Sequence, residues 1–130
     1  MDRPIWMIVT LMTATVVALP NPAVAKRPNA AYPEQLLGVW EGGYESCMLP
    51  GNLDSDARIE IQRGALNDYE QHSKPTHVIQ VSTKPLAWRI SSILHVDGQD
   101  SSQSEIYVLN GSGQLTIADE SRTEVYTRCE

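Results

Sequence analysis

Phenylalanine is absent from this chain, and its 130 residues hold only two cysteines, Cys47 and Cys129, and three histidines, His72, His77 and His95. Neither cysteine belongs to a C-x-x-C pair, and no Cys/His spacing typical of zinc surrounds them, so no metal ligand is assigned. G-x-S-x-G, H-E-x-x-H and phosphate-cradling glycine loops are also missing, which leaves hydrolytic and nucleotide chemistry without its usual residues. No catalytic residue and no cofactor is assigned, and the chain reads as a non-enzymatic protein. Positive charge is scarce too. Ten Lys and Arg stand against 16 Asp and Glu, for a formal net charge of −6, and the basic residues form no stripe. A nucleic-acid footprint therefore has nothing to rest on.

Long apolar runs occur only near the start. Residues 5–19 are apolar or small, Pro20 breaks the run, and Ala23-Val24-Ala25 supplies an A-x-A site. That order is that of a secretory signal peptide over residues 1–25, with Lys26 first after cleavage. The run falls short of the roughly 20 residues that span a bilayer, so no membrane insertion is expected once it is removed. The expected location is periplasmic or secreted, and residues 26–130 are read as a single β domain. In an oxidising compartment Cys47 and Cys129 are expected to join. Closing so long a loop stabilises a fold by about 4 kcal/mol on the chain-entropy account.

The remaining sequence is organised by alternation. Ala57-Arg58-Ile59-Glu60-Ile61-Gln62-Arg63 has period two, with Ile59 and Ile61 predicted to point inward. Residues 39–45, 77–83 and 86–96 also read as strands, the last placing Leu86, Trp88, Ile90, Leu94 and Val96 on one face. Residues 105–109 and 114–118 flank Asn110-Gly111-Ser112-Gly113, a hairpin signal that also accounts for the N-x-S acceptor pattern there. Residues 122–129 close the series. Pro33 opens one expected helical turn before the first strand. Residues 26–32 are predicted to be a loose leader, 48–56 and 99–104 to be loops, and 65–70 to be either a third strand or a helical turn. No amphipathic helix of useful length occurs. The fold class expected is all-β: a small antiparallel barrel or sandwich of seven to eight strands, its first and last strands linked by one disulfide.

Gly38-Val39-Trp40, following that turn, resembles the G-x-W opening of lipocalin and avidin barrels and of a periplasmic metalloprotease-inhibitor family. Glycine there lets the entering segment cross close over the sheet while the Trp plugs the floor, so Gly38, Trp40 and the second tryptophan, Trp88, are assigned structural roles. A broader pattern, running from Trp40 and Cys47 through Tyr69-Glu70 to Tyr126-Thr127-Arg128-Cys129, resembles a group of bacterial exported proteins that carry a further central cysteine pair. Ser73 stands at one of those cysteine positions here, so the central disulfide is not expected.

Polar candidates have simpler explanations. His72 and His77, five apart, project to opposite faces of a strand. Asn52, Asp54 and Asp56 imitate the start of a calcium loop, but Ala57 and Arg63 replace the glycine and glutamate that such a loop needs. Glu70 reads as a surface charge or a partner of Arg89 or Arg128. The function expected is thus an exported binding or inhibitor-like module that meets a protein partner through loops or its leader. Lys26, Arg27, Tyr32, Asn52 and Asp54 are the candidate contacts. In the inhibitor family an N-terminal arm enters the target's cleft, which is what the resemblance implies for the leader. The alternative is a carrier of a small apolar ligand, held in a cavity between Trp40 and Trp88.

Overall fold

Alternation between apolar and polar residues puts one side of each strand out of water, and eight strands close the buried sides on one another. A computed structural model describes residues 30–130. After a 3-10 turn at Glu34–Leu36 come β1 (Gly38–Gly42), β2 (Arg58–Gln62), β3 (Ala65–Asn67), β4 (Gln71–Thr83), β5 (Leu86–Val96), β6 (Gln99–Leu109), β7 (Gln114–Ala118) and β8 (Thr123–Arg128). Each strand pairs antiparallel with the next, and β8 returns to β1 through Trp40↔Arg128 and Gly42↔Tyr126, so the sheet is a closed barrel. Closure removes most of the unpaired edge that a sheet of this size would expose. Residues 1–25, expected to be a signal peptide, and Lys26 and Arg27 lie outside the described residues. Among the described residues no helix is long and apolar enough to cross a membrane.

The inward face is as the period predicts: Ile59 and Ile61 of β2, Trp88 and Ile90 of β5, Leu115 and Ile117 of β7 are buried together with Trp40. Burying each such side chain contributes about 1.5–3 kcal/mol. Cys47 and Cys129 are bonded across a separation of 82 residues. Cys129 donates its backbone N–H to Val39 at 2.9 Å, directly after β8, and Glu130 donates to the Cys47 carbonyl at 3.1 Å. The β1–β2 connection therefore leaves the end of β1, folds down the outer wall and is tied there.

Several expectations need correction. The leader does not run loose to residue 32: Tyr32 is 2% exposed, and its N–H donates to the Arg63 carbonyl at 2.9 Å. Its ring enters the barrel floor, 6.1 Å from Tyr107, and belongs to the same core cluster as Leu36 and Trp40. β1 ends at Gly42, three residues early. Residues 65–67 are strand, and Asp68 stops any helix by accepting the N–H groups of Glu70 and Gln71 on its side chain, both at 3.0 Å. β4 starts at Gln71 rather than 77, and it contains Pro75. This proline is tolerated because β3 reaches only Ser73 and His72, and because the register with β5 shifts between Pro75 and His77. Residues 99–104 are strand, not loop. Asp97 and Gly98 both take positive φ, 50° and 77°, forming a two-residue turn from which β5 and β6 stay paired all the way from Val96↔Gln99.

One end of the barrel is shut. The 3-10 turn crosses it with Leu36 fully buried. Trp40 donates from Nε1 to the Leu36 carbonyl at 2.9 Å. Arg128 lies with its guanidinium 4.1 Å over the Trp40 ring and donates to the carbonyls of Leu37 and Gln35, each at 2.6 Å. Gly38 makes this possible. Its φ is +134°, and a Cβ there would stand 2.8 Å from Arg128 Nη1.

Candidate functional site at the open end of the barrel

An eight-stranded barrel is just wide enough to be filled by its own side chains. Here only the half around Trp40 and Trp88 is filled. The other half opens as a cavity of about 810 Å³, with Ile59, Leu66 and Ile117 on its walls and Glu105 and Tyr107 at its floor. Neither tryptophan lines it, so the cavity expected between Trp40 and Trp88 sits instead at the opposite end. Gly43 and Tyr44 on one side, the 68–71 turn and Arg122 to Tyr126 on the others form its mouth.

Period two on β6 brings Gln103, Glu105 and Tyr107 to the same inner face. Tyr107 donates from its hydroxyl to Glu105 Oε2 at 2.9 Å, and Gln103 Nε2 points to the same oxygen at 3.4 Å. Gln103 Nε2 also lies 3.1 Å from Ser73 Oγ and 3.2 Å from Ser92 Oγ. Both serines are buried, so where the resemblance places half of a central disulfide this barrel has a hydrogen-bonded amide between two hydroxyls. Glu105 is 7% exposed. Burial raises its carboxyl above the ordinary glutamate value, opposed by the Tyr107 hydrogen bond and by Arg122. Burial also lifts the Tyr107 hydroxyl well above its usual range and that of Tyr32 to about 12. The Tyr107 hydroxyl eases the shift at Tyr32, yet no atom stands in good hydrogen-bond geometry to the Tyr32 oxygen.

At the rim, Tyr126 donates to Glu124 Oε2 at 2.6 Å, and Arg122 pairs with Asp119 at 3.5 Å and with Glu124 at 3.7 Å. The β1–β2 loop departs beside this rim carrying Tyr44, Met48, Leu49 and Leu53, which are 73, 80, 59 and 66% exposed. Asn52 and Asp54 are exposed on it as well, and their backbone N–H groups and the Asn52 side-chain oxygen serve the loop itself. Asn52 N–H donates to Glu41 Oε2 at 3.4 Å, and Asp54 N–H donates to Asn52 Oδ1 at 3.1 Å. Ser55 adds a hydroxyl to Glu41 Oε1.

The remaining polar candidates separate. His72 and His95 do meet, as cross-strand neighbours with rings 4.7 Å apart, and His95 Nδ1 lies 2.5 Å from Asp100 Oδ1. They do not line the cavity, and His77 is exposed. Among the described residues no group of three His, Cys, Asp or Glu is arranged to hold a metal ion. Glu70 reaches the mouth, without Arg89 or Arg128 beside it in the cavity wall. Asn110 uses its side-chain oxygen on the N–H groups of Ser112 and Gln114, as a hairpin turn requires. Sequence reasoning missed Glu105, Tyr107 and Gln103. The signal was there in their spacing by two ahead of Leu109, but a charged residue on the inner side of a strand reads as a surface one until the barrel is closed.

Comparison of the chain with protein-family models, with curated proteins and with solved structures found no match.

Proposed function

We propose that this protein is an exported, non-enzymatic binding module that meets a protein partner at the open end of its barrel. The partner lies across the mouth and the β1–β2 loop, and a protruding group of it enters the cavity. One observation carries the reading: a barrel sealed at one end opens at the other into a cavity whose rim continues into a pinned loop with four large apolar side chains exposed. Such a cluster on a tethered loop is the composition of a contact surface. The bonded cysteines support an oxidising, periplasmic or secreted setting. A binding role is supported by the cavity's polar groups, where the Gln103 amide meets the Ser73 hydroxyl and reaches past the lining to Ser92, while the histidines stand apart from it. Tyr32 is no longer a contact in this reading, because it is buried at the sealed end.

The second reading, a carrier of a small apolar ligand, is favoured by the Ile59, Leu66 and Ile117 walls. Affinity capture from the exported fraction, using wild type, Met48→Asp/Leu53→Asp, Tyr69→Asp and the sealed-end control Arg63→Ala, tests the first. A captured protein lost with the loop and mouth variants and kept with the control is the expected result. Capture indifferent to all of them overturns it, and a small molecule retained in native mass spectrometry of the protein alone favours the carrier.

A further inference from the structure

Resting on that reading, we infer that the group received by the cavity is a cation, a protonated amine or a guanidinium, borne by a Lys or Arg side chain of the partner or by a free small molecule. The cavity is lined by five carboxylates, Asp56, Asp68, Glu70, Glu105 and Glu124, against Arg122 alone. Arg122 is already shared between Asp119 and Glu124. Asp68 spends its oxygens on the 68–71 turn, receiving Gln71 Nε2 at 2.7 Å besides two backbone N–H groups.

Glu105 is different. Both its donors, Tyr107 and Gln103, address Oε2, and among the described residues no hydrogen bond reaches Oε1 and no cationic nitrogen lies within ion-pair distance of the carboxylate. Oε1 of this largely buried side chain is thus left accessible from the cavity with no donor of the protein on it, and an entering cation would meet it there. The passage to it suits such a guest. Ile59, Leu66 and Ile117 line it with apolar surface for the methylene stem of a lysine or arginine, and Tyr107 and Tyr126 stand in the same lining. An anionic group would meet the same five carboxylates, and a neutral apolar one would leave Glu105 uncompensated.

Titration calorimetry and thermal shift at low salt, with agmatine and N-acetyl-lysine amide as cationic probes, decide it. N-acetyl-citrulline amide and N-acetyl-norleucine amide are neutral partners of similar shape, and glutarate is the anionic control. The cationic probes are expected to bind and the others not. Glu105→Gln should weaken cation binding about tenfold or more, the scale of one charge-assisted hydrogen bond. Arg122→Gln, on the exposed rim, should strengthen it by a few fold, by freeing Glu124 and removing the competing charge. Affinity should rise with pH above the ordinary glutamate value as Glu105 ionises. Tyr107, Tyr32, Arg122, Asp119 and Glu124 are the groups that share its field, with Asp56, Asp68 and Glu70 nearer the mouth. Free agmatine binding as tightly as a lysine displayed on a protein loop assigns the cation to a small molecule. Binding of the displayed lysine alone, lost with Leu53→Asp, assigns it to a partner side chain. Neutral probes binding as well as cations, or both variants without effect, overturn the inference and leave the binding-module reading standing. That reading falls separately, if capture ignores the mouth.

Discussion

Arg128, the last residue of β8, stacks its guanidinium 4.1 Å over Trp40 of β1 and closes two backbone carbonyls of the entering segment, Gln35 and Leu37. One side chain thus couples the start of the barrel, its end and its floor. Burial is the main influence on this guanidinium and lowers its pKa, with Glu130 acting the other way.

Arg128→Ala removes a stacked cation and two charged hydrogen bonds, and the expected loss is about 3 kcal/mol. Arg128→Lys keeps the charge but not the planar fork, so it should lose about half as much. Gly38→Ala, strained at φ +134° and crowding Arg128, should cost about 1–3 kcal/mol on its own. If all three unfold in urea at the wild-type midpoint, the clamp has no energetic role.

Tyr32 supports the same floor by filling space, while its hydroxyl has no well-placed partner. Tyr32→Ala should destabilise by about 3–5 kcal/mol through cavity formation. Tyr32→Phe should be neutral or stabilising by about 1 kcal/mol, since it deletes an unsatisfied buried hydroxyl. Equilibrium unfolding of the two variants side by side checks the contrast, and a costly Tyr32→Phe would show that the hydroxyl is bonded after all.

Reducing or deleting the Cys47–Cys129 bond should lower stability by about 4 kcal/mol. Cys47→Ser/Cys129→Ser, compared with wild type in guanidinium with and without reductant, measures it. The double variant should be insensitive to reductant.

Glu105 gives stability a defined slope with pH. Its folded carboxyl binds a proton more tightly than the unfolded one, whose ordinary value is 4.5. Stability from this group is therefore present at low pH and falls as pH rises from that value through the raised one. Glu105→Gln should remove the slope and be at least as stable as wild type at neutral pH. Asp119, whose carboxyl is lowered chiefly by the backbone N–H of Ser121, acts in the opposite direction and is common to both proteins, so the difference between their pH curves isolates Glu105. A variant curve parallel to wild type would contradict the assignment.

Much of the barrel is legible in residues whose burial and period agree. Ile59, Ile61, Trp88 and Ile90 announce their faces, and two cysteines at the ends of a strand-rich segment specify how it closes. The errors come from places where a long-range partner overrides local chemistry. Polar residues 99–104 form a strand because β5 supplies every partner, and Pro75 sits in β4 because β3 ends before reaching it. Tyr32 looks solvated among Pro, Asn and Ala until the floor it packs into exists. Glu105 fails for the same reason: its spacing by two from Tyr107 and Leu109 puts it on the inner face, but a charge there reads as solvated until the barrel closes round it.

The clamp at the floor has a kinetic corollary. With the tryptophan end permanently closed, whatever occupies the barrel must arrive and depart by one doorway, passing Tyr44, Tyr69 and Arg122 both times. For a small probe such as agmatine, a substitution that alters only the width of that threshold and not its charge, such as Tyr44→Ala, should therefore slow or hasten entry and escape in equal proportion, changing exchange times while leaving the equilibrium constant where the interior sets it.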